Sequence, residues 1–182
     1  GQLDVSKPIA AALEAMEYSE PTEIQQKLIP VLLDGRDMIG QAQTGTGKTA
    51  AFGILLAEVI DTREKHIQGV VLVPTRELAV QVSIELRRIG QVRGIGVVAV
   101  YGGQRIEPQI TDLARGVHIV VATPGRMLDH MQRGTVAIDK VKVAILDEAD
   151  EMLDIGFAHD IDTILRSTPR ARQTAMFSAT MP

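Results

Sequence analysis

The segment Ala42-Gln43-Thr44-Gly45-Thr46-Gly47-Lys48-Thr49 sets two glycines, a lysine and a hydroxyl in the order of a phosphate cradle. About a hundred residues later, Asp147-Glu148-Ala149-Asp150 supplies a cluster of carboxylates. Gly45 and Gly47 leave room for backbone N–H groups to approach phosphate oxygens, and a helix opening at Lys48 adds its favourable dipole. Lys48 can neutralise β- and γ-phosphates and Thr49 can ligate Mg²⁺; Gln43, Thr44, Thr46 and Ala50 complete the nucleotide-binding segment. Of the carboxylates, Asp147 is the candidate metal ligand beside Thr49, and Glu148 the candidate base that orients or deprotonates an attacking water. The catalytic set is then Lys48, Asp147 and Glu148, and the pair of segments predicts a site for ATP and Mg²⁺. Taken singly, each has a plainer reading. Ala42 stands where the general pattern has Gly, a Gly-rich turn can be structural, and acidic residues after a strand are common helix N-caps.

Such residues need a frame to meet. Asp37 to Gln41 reads as a short buried strand, followed by Val70 to Val73, Gly96 to Val100, His118 to Ala122, Val143 to Asp147 and Gln173 to Phe177. Between them lie helical patterns at about Thr49 to Ile60, Thr75 to Ile89, Gln104 to Arg115, Gly125 to Arg133 and Phe157 to Ser167. This alternation predicts a single α/β domain over residues 1–182, with a mostly parallel, doubly wound sheet that delivers Asp147 to a strand's carboxyl end. Pro8 to Met16 and Pro21 to Leu33 predict two amphipathic helices against the nucleotide edge.

Composition narrows the setting. With 182 residues, 45% of them hydrophobic, and no long apolar run, the chain can bury a core without a membrane span. No signal or transit segment is evident, and the absence of cysteine excludes disulfides and thiolate metal sites, so the cytoplasm is the default expectation. A net charge of −4 argues against a broad basic surface, leaving nucleic-acid binding to local donors and a few cations. His66, His118, His130 and His159 have no metal-ligand spacing and read as surface or incidental positions. Asp139, Glu151, Asp154, Asp160 and Asp162 read as helix caps or solvated faces.

From Tyr18 to Thr180 the ordered motifs resemble those of the amino-terminal RecA-like domain of DEAD-box RNA helicases. In order they are Pro21-Thr22-Glu23-Ile24-Gln25, Ala42 to Thr49, Pro74-Thr75-Arg76-Glu77-Leu78-Ala79, Gly102-Gly103, Thr123-Pro124-Gly125-Arg126, Asp147 to Asp150 and Ser178-Ala179-Thr180. The resemblance implies a P-loop NTPase fold and an ATP-dependent RNA helicase with RNA-stimulated ATPase activity. It assigns adenine recognition to Gln25, whose amide offers both a donor and an acceptor, with Tyr18 stacking on the base. Tyr18 follows Glu17 where the family usually has Phe preceded by Gly. Helix capping is the plainer reading of Gln25.

By the same resemblance, Pro74, Thr75, Arg76, Gly102, Gly103, Thr123, Pro124, Gly125 and Arg126 hold single-stranded RNA through backbone-type contacts that read no sequence. Turn and helix-start chemistry is their alternative. Asp150, Ser178 and Thr180 would couple the nucleotide site to the RNA surface. None of the family's later motifs occurs in the chain, including the arginine-rich one that reaches the γ-phosphate. A second RecA-like domain is therefore an implied partner, and this domain alone should bind ATP or ADP yet hydrolyse ATP poorly. A non-hydrolysing RNA-binding or partner-docking module, and a DNA-directed motor, are the alternatives.

Overall fold

The structure, a computed structural model, describes residues 5–15, 21–42 and 47–180. Six strands, β1 (Met38–Gln41), β2 (Gly69–Leu72), β3 (Val97–Val100), β4 (Ile119–Ala122), β5 (Val143–Leu146) and β6 (Gln173–Ser178), form one sheet in the order β1-β6-β5-β2-β4-β3. Every neighbouring pair is parallel, with Gln41 opposite Ser178, Leu72 opposite both Ala122 and Leu146, and Val100 opposite Ala122. The sheet is thus wholly parallel among the described residues, where the sequence predicted a mostly parallel one.

The chain steps across the sheet from β1 to β2 to β3 and returns through β4, β5 and β6. Because parallel crossovers are right-handed, the outward and return passes must put their helices on opposite faces. One face carries α1 (Lys7–Ala15), α2 (Glu23–Leu33), α3 (Lys48–Val59) and α4 (Arg76–Gly90); the other carries α5 (Glu107–Ala114), α6 (Pro124–Arg133), α7 (Ala149–Ile155) and α8 (Ala158–Arg166). The two cores divide the strand residues by parity. Val71 and Val73 meet Phe52 and Val82 on the first face, while Val70 and Leu72 meet Met127 and Ile164 on the second. A strand covered on both faces has no polar side to show, which is why β2, β4 and β5 are buried at every position.

Three expectations need correction. Only α2 lies at the nucleotide edge. Ser6 N donates to Glu58 Oε1 (2.9 Å) where α1 begins, and Glu58 lies near the end of α3, ten residues from Lys48, or about 15 Å of helix. Second, His118 and His130 are not surface positions: both are buried, His118 Nδ1 accepts from Gly96 N (2.9 Å), and His130 is fully enclosed. Third, α7 begins inside the acidic motif and a 3-10 turn spans Gln91–Arg93, neither of which the sequence announced. No helix among the described residues is long and apolar enough to cross a membrane.

Candidate functional site

Because all six strands are parallel and in register, their carboxyl ends form one row, and every chemically suggestive segment follows one of those ends. The turn into α3 follows β1, Pro74-Thr75 follows β2, Gly102-Gly103 follows β3, Thr123-Pro124 follows β4, Asp147-Glu148 follows β5, and Ala179-Thr180 follows β6. Of the predicted site residues, Tyr18, Gln43, Thr44, Gly45 and Thr46 lie outside the described residues.

Gly47 is the N-cap of α3, with φ 87°, and among the described residues no side chain caps the first-turn N–H groups, which include those of Thr49 and Ala50 and are of the kind that receives an anion. Lys48 and Asp147, both buried, meet at 3.0 Å between Nζ and Oδ1. Glu148 N also donates to Asp147 Oδ1 (3.1 Å), whereas Asp147 Oδ2 is buried without a partner among the described residues. Burial pushes the Asp147 carboxyl above its ordinary value, with Lys48 pulling the other way. A partnerless buried carboxylate oxygen beside the half-buried Thr49 fits a hard cation. The described residues hold no cluster of three or more acidic, His or Cys side chains able to cage a metal. Asp147 with Thr49 is a donor pair of the kind that suits Mg²⁺, which keeps waters and takes phosphate oxygens.

Glu148 is in the left-handed region (φ 54°, ψ 50°), alone among the described non-glycine residues. That conformation turns the chain from β5 into α7, and backbone strain of this kind is characteristic of functional sites. Its neighbour Glu151 has a carboxyl raised above the usual range, first by a hydrogen bond with Glu148 and then by burial. Lys48, Thr49, Asp147 and Glu148 share a pocket of about 420 Å³ with Gln25, and with Gln81 and Glu85 of α4. The last two were missed from sequence. Their signal was a helical stripe: Leu78, Gln81, Val82 and Glu85 follow the Thr75 cap at spacings of three and four, and all line the pocket.

Gln25 is buried and bonded at both ends of its amide: Oε1 accepts from Thr22 N (2.9 Å) and Nε2 donates to Gly47 O (3.1 Å). With Gln25 N donating to Thr22 Oγ1 (3.3 Å), it completes a capping box on α2. The helix-cap reading is therefore realised, and the same side chain reaches across to the phosphate turn.

Along the remaining strand ends, Pro74 and Pro124 are buried while Arg76, Gly102, Gly103 and Gly125 are exposed. Thr75 Oγ1 caps α4 by accepting from Leu78 N (3.2 Å), and Thr123 is the N-cap of α6. The Arg76 guanidinium stacks over the Tyr101 ring, 5.3 Å from its centroid. Arg126 is mostly enclosed, its Nη1 and Nη2 donating to Gln109 Oε1 (3.1 Å) and Gln104 O (3.0 Å). At the β6 end, Thr180 gives both N–H (3.1 Å) and Oγ1–H (2.9 Å) to Asp150 Oδ2. Partial burial alone would raise Asp150; hydrogen bonds from Thr180, the Glu151 backbone and Ser178 together bring it below the ordinary range.

A DEAD/DEAH box helicase family model matches residues 22–182. The chain is 51% identical over 181 residues to the DEAD-box ATP-dependent RNA helicase CshA of Geobacillus kaustophilus, covering all of this chain and 39% of that protein. It is 50% identical to the ATP-dependent RNA helicase CshA of Listeria monocytogenes, covering 35% of it. The chain thus spans less than two fifths of the length of these curated relatives. Among solved structures, a DEAD box protein from Methanococcus jannaschii superposes over all of this chain and 50% of its own, with a TM-score of 0.92 and 43% identity. A hypothetical ATP-dependent RNA helicase from Sulfolobus tokodaii superposes with a TM-score of 0.89 and 39% identity, over 98% of this chain and 52% of its own. The parallel sheet, the turn at Gly47-Lys48 and the Asp147 to Asp150 segment at its rim are those of a RecA-like domain, and the chain belongs to the DEAD/DEAH box helicase family.

Proposed function

We propose that this chain binds ATP with Mg²⁺ and single-stranded RNA, and that with a second RecA-like domain it couples ATP hydrolysis to local unwinding of an RNA duplex. The observation that carries the reading is the buried Lys48–Asp147 pair, whose second carboxylate oxygen has no partner among the described residues, set in the same row of strand ends as the Asp150–Thr180 link. In this reading Lys48 turns from Asp147 to the β- and γ-phosphates while the open N-terminus of α3 receives the phosphate oxygens. Thr49 and Asp147 hold Mg²⁺, which when bound neutralises charge on those oxygens. Glu148 orients the attacking water and takes its proton at the side-chain carboxylate.

Gln25 reads the adenine edge by exchanging its Thr22 and Gly47 partners for the base. Pro74 to Arg76, Gly102-Gly103 and Thr123 to Arg126 line the RNA path without reading sequence. Asp150, Ser178 and Thr180 relay nucleotide state to that path. An arginine supplied by the second domain would contribute roughly 10³ to 10⁵ in rate, so this chain alone hydrolyses ATP slowly. A cytoplasmic setting accords with such a reaction.

The test is titration with ADP and with GDP in Mg²⁺, alongside Gln25→Ala. Selective ADP binding that collapses in the variant supports the reading. Equal binding of both nucleotides leaves a generic phosphate loop, and binding of neither leaves a non-hydrolysing RNA-binding or partner-docking module.

A further inference from the structure

Gln109 is 2% exposed in the first turn of α5, and its carboxamide is bonded at both ends. Nε2 donates to Tyr101 O (2.9 Å), the residue immediately before Gly102-Gly103. Oε1 accepts from Arg126 Nη1 (3.1 Å) and from His130 Nε2 (2.9 Å), both on α6. Arg126 in turn donates from Nη2 to Gln104 O (3.0 Å), so the loop between β3 and α5 is gripped on both sides of its two glycines. The ring of Tyr101 carries the Arg76 guanidinium from the start of α4.

The chemistry at position 109 is demanding. A carbonyl on one side requires a donor, and two N–H groups on the other require an acceptor; among side chains of this length an amide supplies both without taking up a proton. The Tyr101 carbonyl therefore fixes which end of the amide is nitrogen, and the amide oxygen facing His130 suits a proton on Nε2. The two glycines themselves are open: a Cβ on Gly102 would touch nothing within 4 Å, and the nearest atom to one on Gly103 (φ 82°) is Arg76 Nη1, at 3.7 Å.

We propose that Gln109 is a positioning residue for nucleic-acid binding: one buried amide sets the relative placement of the loops at Arg76, Gly102-Gly103 and Arg126. The proposal rests on the RNA-binding reading above. Gln109 touches no RNA in this account; it acts through Tyr101 and Arg126, and it lies outside the nucleotide pocket.

The protein is titrated with a ten-nucleotide single-stranded RNA and, separately, with ADP-Mg²⁺, and its melting temperature is recorded. The variants are Gln109→Glu, Gln109→Met, Arg126→Ala and the double variant Gln109→Glu/Arg126→Ala. Gln109→Glu keeps the shape and the acceptor but loses the donor to Tyr101. It is expected to weaken RNA binding about tenfold with ADP affinity within about twofold of wild type, and to cost less than about threefold more when Arg126→Ala is already present. A residue that merely supported the fold would lower both affinities together and act additively with Arg126→Ala. Wild-type RNA affinity in both Gln109 variants, parallel losses of RNA and ADP, or failure of even the isosteric Gln109→Glu to fold would each overturn the proposal. A wild-type protein that binds ADP but no RNA would instead remove the RNA-binding reading on which it stands.

Discussion

Lys48 Nζ sits 3.0 Å from Asp147 Oδ1, so the cation suited to nucleotide phosphates is already paired with the carboxylate suited to their metal. Both side chains are at most 5% exposed, and a buried pair broken from one side leaves an uncompensated charge. Lys48→Ala should lower ADP-Mg²⁺ affinity on the order of 100-fold, as expected for a lost charge-assisted contact. It should also reduce stability on the order of 3 kcal/mol at neutral pH. Replacing both partners, with Lys48→Met and Asp147→Asn, should recover much of the stability and none of the binding. Urea unfolding read beside calorimetric ADP titration checks both, and an unaltered unfolding midpoint in Lys48→Ala would contradict the buried pairing.

Gly47 couples the phosphate turn to Gln25. A Cβ there would lie 2.7 Å from Gln25 Nε2 and 3.1 Å from Thr22 Oγ1, and φ 87° suits glycine alone. Gly47→Ala should cost about 1–2 kcal/mol from the backbone conformation, plus the displaced Gln25 bond. ADP affinity should fall with it, and tight ADP binding by a normally stable Gly47→Ala protein would show that the turn adapts.

The buried histidines give stability a pH dependence. Burial, seconded for His130 by Arg126, holds both His118 and His130 below the ordinary 6.5. The unfolded chain protonates first, so stability is flat above about pH 7 and is lost as pH falls through 6.5 toward the depressed native values, by up to about 1.4 kcal/mol per pH unit for each group. Unfolding curves between pH 7.5 and 5 should show the slope, and it should flatten in His130→Leu; an unchanged slope there would assign the dependence elsewhere.

Thr180 and Asp150 supply a local titration. Two Thr180 donors reach one Asp150 oxygen and help hold the carboxyl below 3.8. Thr180→Val keeps the N–H and deletes the hydroxyl, so the Asp150 pKa should rise toward its ordinary value. Carboxyl chemical shifts followed from pH 6 to 2 measure it directly, and no movement would mean that the hydroxyl bond is absent in solution.

Much of this architecture is legible in residue order because the determinants are local. Runs such as Ile119-Val120-Val121-Ala122 read as strands covered on both faces, and Thr75 marks a helix start by its side-chain cap. Sequence could not show α7, whose seven residues are too few for a helical period to emerge, nor the left-handed turn at Glu148, a conformation usually left to glycine. His118 and His130 were misplaced because an isolated histidine carries no periodic signal. Their burial follows from partners distant in sequence, Gly96 for one and Gln109 for the other. That Lys48 and Asp147 share a pocket was legible, whereas Gln81 and Glu85 joined its lining through the packing of α4 beside α3.

In the described sheet β1 has one neighbour, β6, and their pairing joins residues 137 positions apart, as Thr174 N donating to Asp37 Oδ1 illustrates. Closing a loop of that length precedes any gain from the contact, so the strand that leads into the phosphate turn should be among the last to dock during folding. A chain emerging from the ribosome would carry its phosphate turn long before it could use it, gaining nucleotide affinity only when Gln173–Ser178 arrives. In pulsed hydrogen exchange during refolding, the Ala42 amide, bonded to Ser178 O, should gain protection later than the Val73 amide, bonded to Ala122 O.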